Sequence, residues 1–223
     1  MSRKLLQGQL ESSFKFNREV MGRYKGKILH WDVVNEAISE DGTMRKSVFY
    51  DTFGLDYIRM AFKLAREVDP NAKHFYNEYG VYGDDYRKNK TEALYNLIKQ
   101  LKDEIVPIDG VGFQCHLTTG KFPRNLGKTM LRIAHLGVDV AITELDISIR
   151  LPATVALLRK QANDYAQAYK TCLTVRRCVG VTVWQFSDKY TWINKDVWGA
   201  PNLFDVNFNP KPAVSAVLNV LKN

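Results

Sequence analysis

Two observations in the sequence predict an α/β fold of the (β/α) barrel type, and a third limits how much of one is present. Apolar strand-like runs alternate with helical patterns along the chain, which argues for βαβ units and a parallel sheet. Each run ends in polar or aromatic residues: Asn35-Glu36, Asn77-Glu78, Gln114 with His116, Glu144 with Asp146, and Trp184-Gln185. A doubly wound sheet concentrates its site at one switch point, whereas function at the C-terminal end of every strand is the barrel pattern. The third observation is one of number. Five strands are read, not eight, and about 27 residues precede the first, where one βαβ unit takes ~30. On the residues alone, an incomplete barrel and an open sheet both remain.

The elements follow in order. Leu6, Leu10 and Phe14 recur at helical spacing, so residues 3–23 are read as an amphipathic helix. The first strand is expected at 27–35. A loop and a helix over 55–68 come next, stopped at Asp69-Pro70. AKHFYNEYG is the second strand and 87–104 its helix. PIDGVGFQCHL is the third strand, with a helix at 124–136, and VDVAITELDIS the fourth, with a helix at 154–175. CVGVTVWQFSD is the fifth, and PKPAVSAVLNVLK closes the chain as a helix.

Composition narrows the function classes. With 223 residues, 45% hydrophobic and 25% charged, the chain fits one globular domain. No apolar run approaches the ~20 residues of a membrane span, so no membrane partner is expected. MSRKLLQGQLESSFKFN lacks the apolar segment of a signal peptide. The net charge of +8 is concentrated at the start, where residues 1–30 hold seven Lys/Arg against Glu11 and Glu19. The solvated face of a helix accounts for that excess better than nucleic acid, for which no motif is present. Cys172 and Cys178 lie six apart, a spacing that fits a local disulfide without requiring one. Cys115 is read as a buried free thiol. No Cys/His cluster has metal-ligand spacing, so no metal is expected. Asn89-Lys90-Thr91 is a glycosylation sequon, a common chance match.

The chemistry lies in two carboxylates. HWDVVNEAI carries an apolar strand into Asn35 and Glu36, and AITELDIS repeats the arrangement 108 residues later with Glu144. A carboxylate at the exit of a buried strand is either a costly lone ion or a working group. Two of them on one sheet edge can flank a glycosidic bond, one protonating the leaving oxygen while the other attacks carbon or activates water.

WDVVNE, GVGFQCHL, ITELDI and VTVWQFSDKYTW stand in that order, and with them the sequence resembles the family 10 glycoside hydrolases, the endo-β-1,4-xylanases. The likeness runs from Val20-Met21-Gly22-Arg23-Tyr24 to FDVNFNPKPAVSAV. It implies a (β/α)8 TIM barrel and retaining hydrolysis of xylan or xylo-oligosaccharides without a cofactor. Glu36 resembles the general acid/base and Glu144 the nucleophile. His116 and Asp146 resemble the pair that orients the nucleophile; Asp146, two residues beyond Glu144 on one strand, shares its face. Asn35 resembles the asparagine that binds the sugar 2-hydroxyl, and Gln114 a glutamine of the same network. Asn77 and Tyr79 match substrate-binding residues on the leaving-group side. Trp184 and Trp192 match two tryptophans that wall the sugar site, where aromatic faces stack on sugar rings. Glu78 departs from the usual aspartate, and Gln185 and Phe186 replace small residues. Cys172 and Cys178 match a disulfide of fungal members, which implies a secreted setting.

Under the resemblance Glu36 ends the fourth barrel strand. The expectation is therefore an N-terminally incomplete barrel with about strands 4 to 8, lacking the first three βα units of the catalytic domain, its activity as a fragment in doubt. A non-catalytic carbohydrate-binding homologue and a basic nucleic-acid-binding protein are the alternatives. Nothing in the sequence specifies an oligomeric state.

Overall fold

The computed structural model describes Lys15 and residues 18–83, 87–193 and 197–222. The expected helix over 3–23 falls mostly outside the described residues; residues 18–23 are helical.

The sheet begins with β1 (His30–Asn35), and two helices follow it, α1 (Val48–Phe53) and α2 (Asp56–Val68). Ser47 starts α1 by accepting from the Tyr50 amide, satisfying a donor that the first turn leaves without a partner. Then come β2 (Lys73–Glu78), α3 (Lys88–Asp103), β3 (Gly110–Phe113), β4 (His116–Thr118) and α4 (Leu126–Ala134). The second half holds β5 (Asp139–Arg150), α5 (Val155–Thr174), β6 (Cys178–Val183), a 3-10 turn at Asp188–Tyr190, β7 (Trp198–Gly199) and α6 (Pro212–Leu221). Thr154 caps α5 through the Leu157 amide, and Pro212 opens α6, where its missing N–H costs nothing.

The strands form one seven-stranded sheet. β1, β2, β3, β5 and β6 pair parallel in that order, β4 runs parallel to the C-terminal half of β5, and β7 is antiparallel to its end. The expectation of a five-stranded remnant, strands 4 to 8 of a barrel, is corrected: seven strands interleaved with helices run along nearly the whole described chain, the layout of a (β/α) barrel. Two features hid the additional strands. The single run 107–117 is cut in two at Cys115, whose φ of 60° takes the chain out of the β region. β7 is two residues long, too short for any alternation to register.

The core is continuous between sheet and helices. Phe62 and Ile58 of α2, Leu94 and Ile98 of α3, Met130 of α4 and Tyr165 of α5 are fully buried against Phe113, Val140 and Ile142. Cys115 is a buried free thiol, and Cys172 and Cys178 form a disulfide that joins the end of α5 to the start of β6. Among the described residues no helix is long and apolar enough to cross a membrane.

Candidate active site

Register brings the polar strand ends together. Asn35 lies opposite Asn77, Asn77 opposite Gly112, and His116 opposite Asp146. The ladder continues past the strands: the Glu36 amide donates to the Asn77 carbonyl (2.9 Å), Gln114 to Glu78 (3.1 Å) and Glu144 to Gln114 (3.1 Å). Residues far apart in sequence thus become successive rungs of one edge.

Gly112 keeps the middle of that edge open. A Cβ there would sit 2.3 Å from Asn77 Oδ1, the atom that accepts from Thr143 Oγ1 at 2.6 Å. With no side chain on β3 at this point, Asn77 reaches Glu144 on the far side.

Side-chain amides link the two glutamates. Gln114 Nε2 donates to Glu36 Oε1 (3.1 Å) and to Asn35 Oδ1 (3.2 Å). Asn77 Nδ2 donates to the same Asn35 oxygen (3.0 Å) and to Glu144 Oε1 (2.7 Å). Asn35 is exposed, whereas Asn77 and Gln114 are buried. Asn35 therefore ties the two amides together with its oxygen, and its own amide nitrogen remains the group it can offer to a ligand.

The other oxygen of Glu144 faces His116. The ring nitrogens lie 3.3 Å from Glu144 Oε2 and 2.9 Å from Asp146 Oδ2. Burial disfavours the imidazolium, but its hydrogen bonds to Asp146 and Glu144 outweigh burial and lift His116 to about 9. At neutral pH both ring nitrogens then carry protons and donate. Asp146 Oδ2 also accepts from Trp192 Nε1 at 2.8 Å, and the Trp192 ring meets the His116 ring edge-on at 5.0 Å.

A cleft of about 460 Å³ opens over these groups. Glu36, Glu144, Gln114, His116, Tyr79, Trp184 and Trp192 all line it. Asn77 and Asp146 lie behind that lining, buried, and act on Glu144 and His116. Trp184 and Trp192 are 42% and 55% exposed, large aromatic faces left open to solvent beside two carboxylates. That combination of apolar face and hydrogen-bonding groups suits a sugar ring, apolar on its faces and hydroxylated at its edge.

Sequence reasoning missed Arg45. Its guanidinium lies 3.6 Å from Glu36 Oε2 and donates to Tyr79 Oη at 3.2 Å. The Asp41-Gly42 turn, with an Ile38–Met44 bridge around it, folds the chain back to place it there. Asp-Gly is a turn signal, so that return was readable.

Glycosidic hydrolysis needs two carboxyl groups flanking the scissile bond, and here two carboxylates stand over the C-terminal edge of a parallel sheet, in a cleft walled by exposed tryptophans. The chain belongs to glycosyl hydrolase family 10, whose model matches residues 4–220. That match and the seven-stranded fold extend along nearly the whole of this chain, which corrects the expectation of a five-stranded half-barrel. Endo-1,4-beta-xylanase 1 of Humicola insolens is 46% identical over 207 residues, 91% of this chain and 48% of that protein. Endo-1,4-beta-xylanase A of Phanerodontia chrysosporium is 45% identical over 196 residues, 87% and 47% of the two chains. The chain thus spans about half the length of these relatives. Among solved structures, native xylanase 10B from Thermotoga maritima superposes with a TM-score of 0.90 at 38% identity, covering 97% of this chain and 67% of that one. Xylanase 10B from Thermotoga petrophila in complex with xylobiose gives 0.90 at 36% identity, over 100% and 67%.

Proposed function

We propose that this chain, over residues 1–223, belongs to the catalytic domain of a retaining endo-1,4-β-xylanase, with Glu36 as general acid/base and Glu144 as nucleophile. The observation that carries the reading is the linked pair: two glutamates on one cleft, each held by its own amide and joined through Asn35. The relatives named above are xylanases, which supports xylan as the substrate.

In the first step Glu36 gives its proton to the glycosidic oxygen as a Glu144 oxygen bonds to the anomeric carbon and the C–O bond breaks. In the second, Glu36 takes a proton from water, whose oxygen bonds to that carbon and releases Glu144. Asn77 and His116 each hold one Glu144 oxygen, which fixes the carboxylate in the plane needed for attack. Asp146 compensates the imidazolium charge, so His116 orients Glu144 without cancelling its nucleophilic charge. Trp184 and Trp192 wall the sugar on one side, and Tyr79 with Arg45 flanks Glu36, on the side where the leaving group departs from the anomeric carbon. An extracellular setting accords with the Cys172–Cys178 disulfide.

The test is reducing-sugar release from β-1,4-xylan, with proton NMR following the anomer first formed. Release that begins as the β-anomer and disappears in Glu144→Gln is expected. Release that persists in Glu144→Gln, or begins as the α-anomer, overturns the assignment.

A further inference from the structure

Glu36 occupies an unusual piece of backbone. Its φ is 55°, in the left-handed region that glycine normally fills. Such a conformation persists only where the surroundings over-determine it. Here three successive amides are captured by three successive residues of β2. The Glu36 N–H donates to the Asn77 carbonyl (2.9 Å), the Ala37 N–H to Tyr76 Oη (3.0 Å), and the Ile38 N–H to Glu78 Oε2 (3.2 Å).

The first bond continues the sheet ladder, but the other two are made by side chains. Tyr76 Oη donates in turn to Glu78 Oε2 at 2.7 Å. Glu78 Oε1 pairs with Lys90 Nζ at 3.1 Å, and Glu78, Lys90 and Tyr76 are all fully buried. A buried carboxylate is costly unless it is paired and hydrogen-bonded. Glu78 is both. Burial raises Glu78, and burial together with the Glu78 charge raises Tyr76, so the phenol keeps the proton it donates. None of the three side chains lines the cleft.

We infer that Tyr76 and Glu78 are positioning residues for Glu36: they fix the left-handed turn that delivers its carboxylate to the cleft, with Lys90 as the buried counter-charge. The inference rests on the reading of Glu36 as the acid/base. It also gives a role to Glu78, a residue for which the family resemblance supplied none.

The test exploits leaving-group chemistry. Cleaving xylan requires a proton from Glu36, whereas expelling 2,4-dinitrophenolate from an aryl β-xylobioside requires almost none. Tyr76→Phe keeps the ring and removes the acceptor for Ala37; Glu78→Gln removes the charge. In each, kcat on xylan should fall about tenfold or more at nearly unchanged KM, a fraction of the 10²–10⁴ that a general acid contributes. The rate of the dinitrophenolate burst should stay within about twofold of the parent. A merely structural role would lower both rates together, and equal losses on the two substrates overturn the inference. Where Glu78→Gln fails to fold, Tyr76→Phe decides alone. A parent inactive on both substrates overturns the xylanase reading, and this inference with it.

Discussion

Asn77 holds Glu144: its side-chain nitrogen lies 2.7 Å from Oε1 of that carboxylate, while its oxygen accepts from Thr143. One buried amide thereby fixes an oxygen of the proposed nucleophile and is itself fixed from behind. In Asn77→Ala, Glu144, Asn35 and Thr143 all lose a partner at once. The expected cost is about 1–3 kcal/mol of stability, from buried groups left without hydrogen bonds, and a loss of kcat of about tenfold or more. Urea unfolding and initial rates on xylan check both; a variant as active as the parent would remove Asn77 from the site.

His116 ties stability to pH. Its folded value is raised to about 9 from the ordinary 6.5, so the folded state binds the proton more tightly than the unfolded chain. This contribution is complete below about 6.5 and is lost as pH rises toward 9. The parent's melting temperature should therefore fall more steeply across that window than that of His116→Gln. Parallel curves would show that His116 is not held as the imidazolium.

Trp192 combines two functions that one substitution separates. Its ring lines the cleft, and its indole N–H donates to Asp146. Trp192→Phe keeps an aromatic face and deletes the donor. KM for xylo-oligosaccharides should stay close to the parent's while kcat drops about fivefold, the rate equivalent of ~1 kcal/mol. Trp192→Ala should raise KM as well. A Phe variant with the parent's kcat would mean that the indole N–H contributes nothing.

Long periodic elements and strand-end chemistry were the legible parts. The helices expected at 55–68, 87–104 and 154–175 are found at Asp56–Val68, Lys88–Asp103 and Val155–Thr174. The strand-end glutamates do share one cleft. The strand count was not legible, because the break at Cys115 is a single backbone angle and β7 has no period to detect. Nor was the burial of Glu78 with Lys90, since a charged pair twelve residues apart on a strand and a helix leaves no trace in either pattern. Trp192 was readable as an aromatic wall, but the bond from its indole N–H to Asp146 depends on how a loop folds over β5.

The twelve residues of β5 are bonded along their length to β3, β4, β6 and β7, and they carry both Glu144 and Asp146. Trp184 and Trp192 stand instead on connecting segments beyond β6, with much of their surface in water. The two sides of the cleft therefore differ in compliance. The side that carries the proposed nucleophile is as stiff as the sheet, because displacing it would break ladders to four neighbours. The proposed sugar-binding side can yield, and on the xylanase reading it would follow a polymer whose rings differ in tilt and substitution while the reacting atoms keep their alignment.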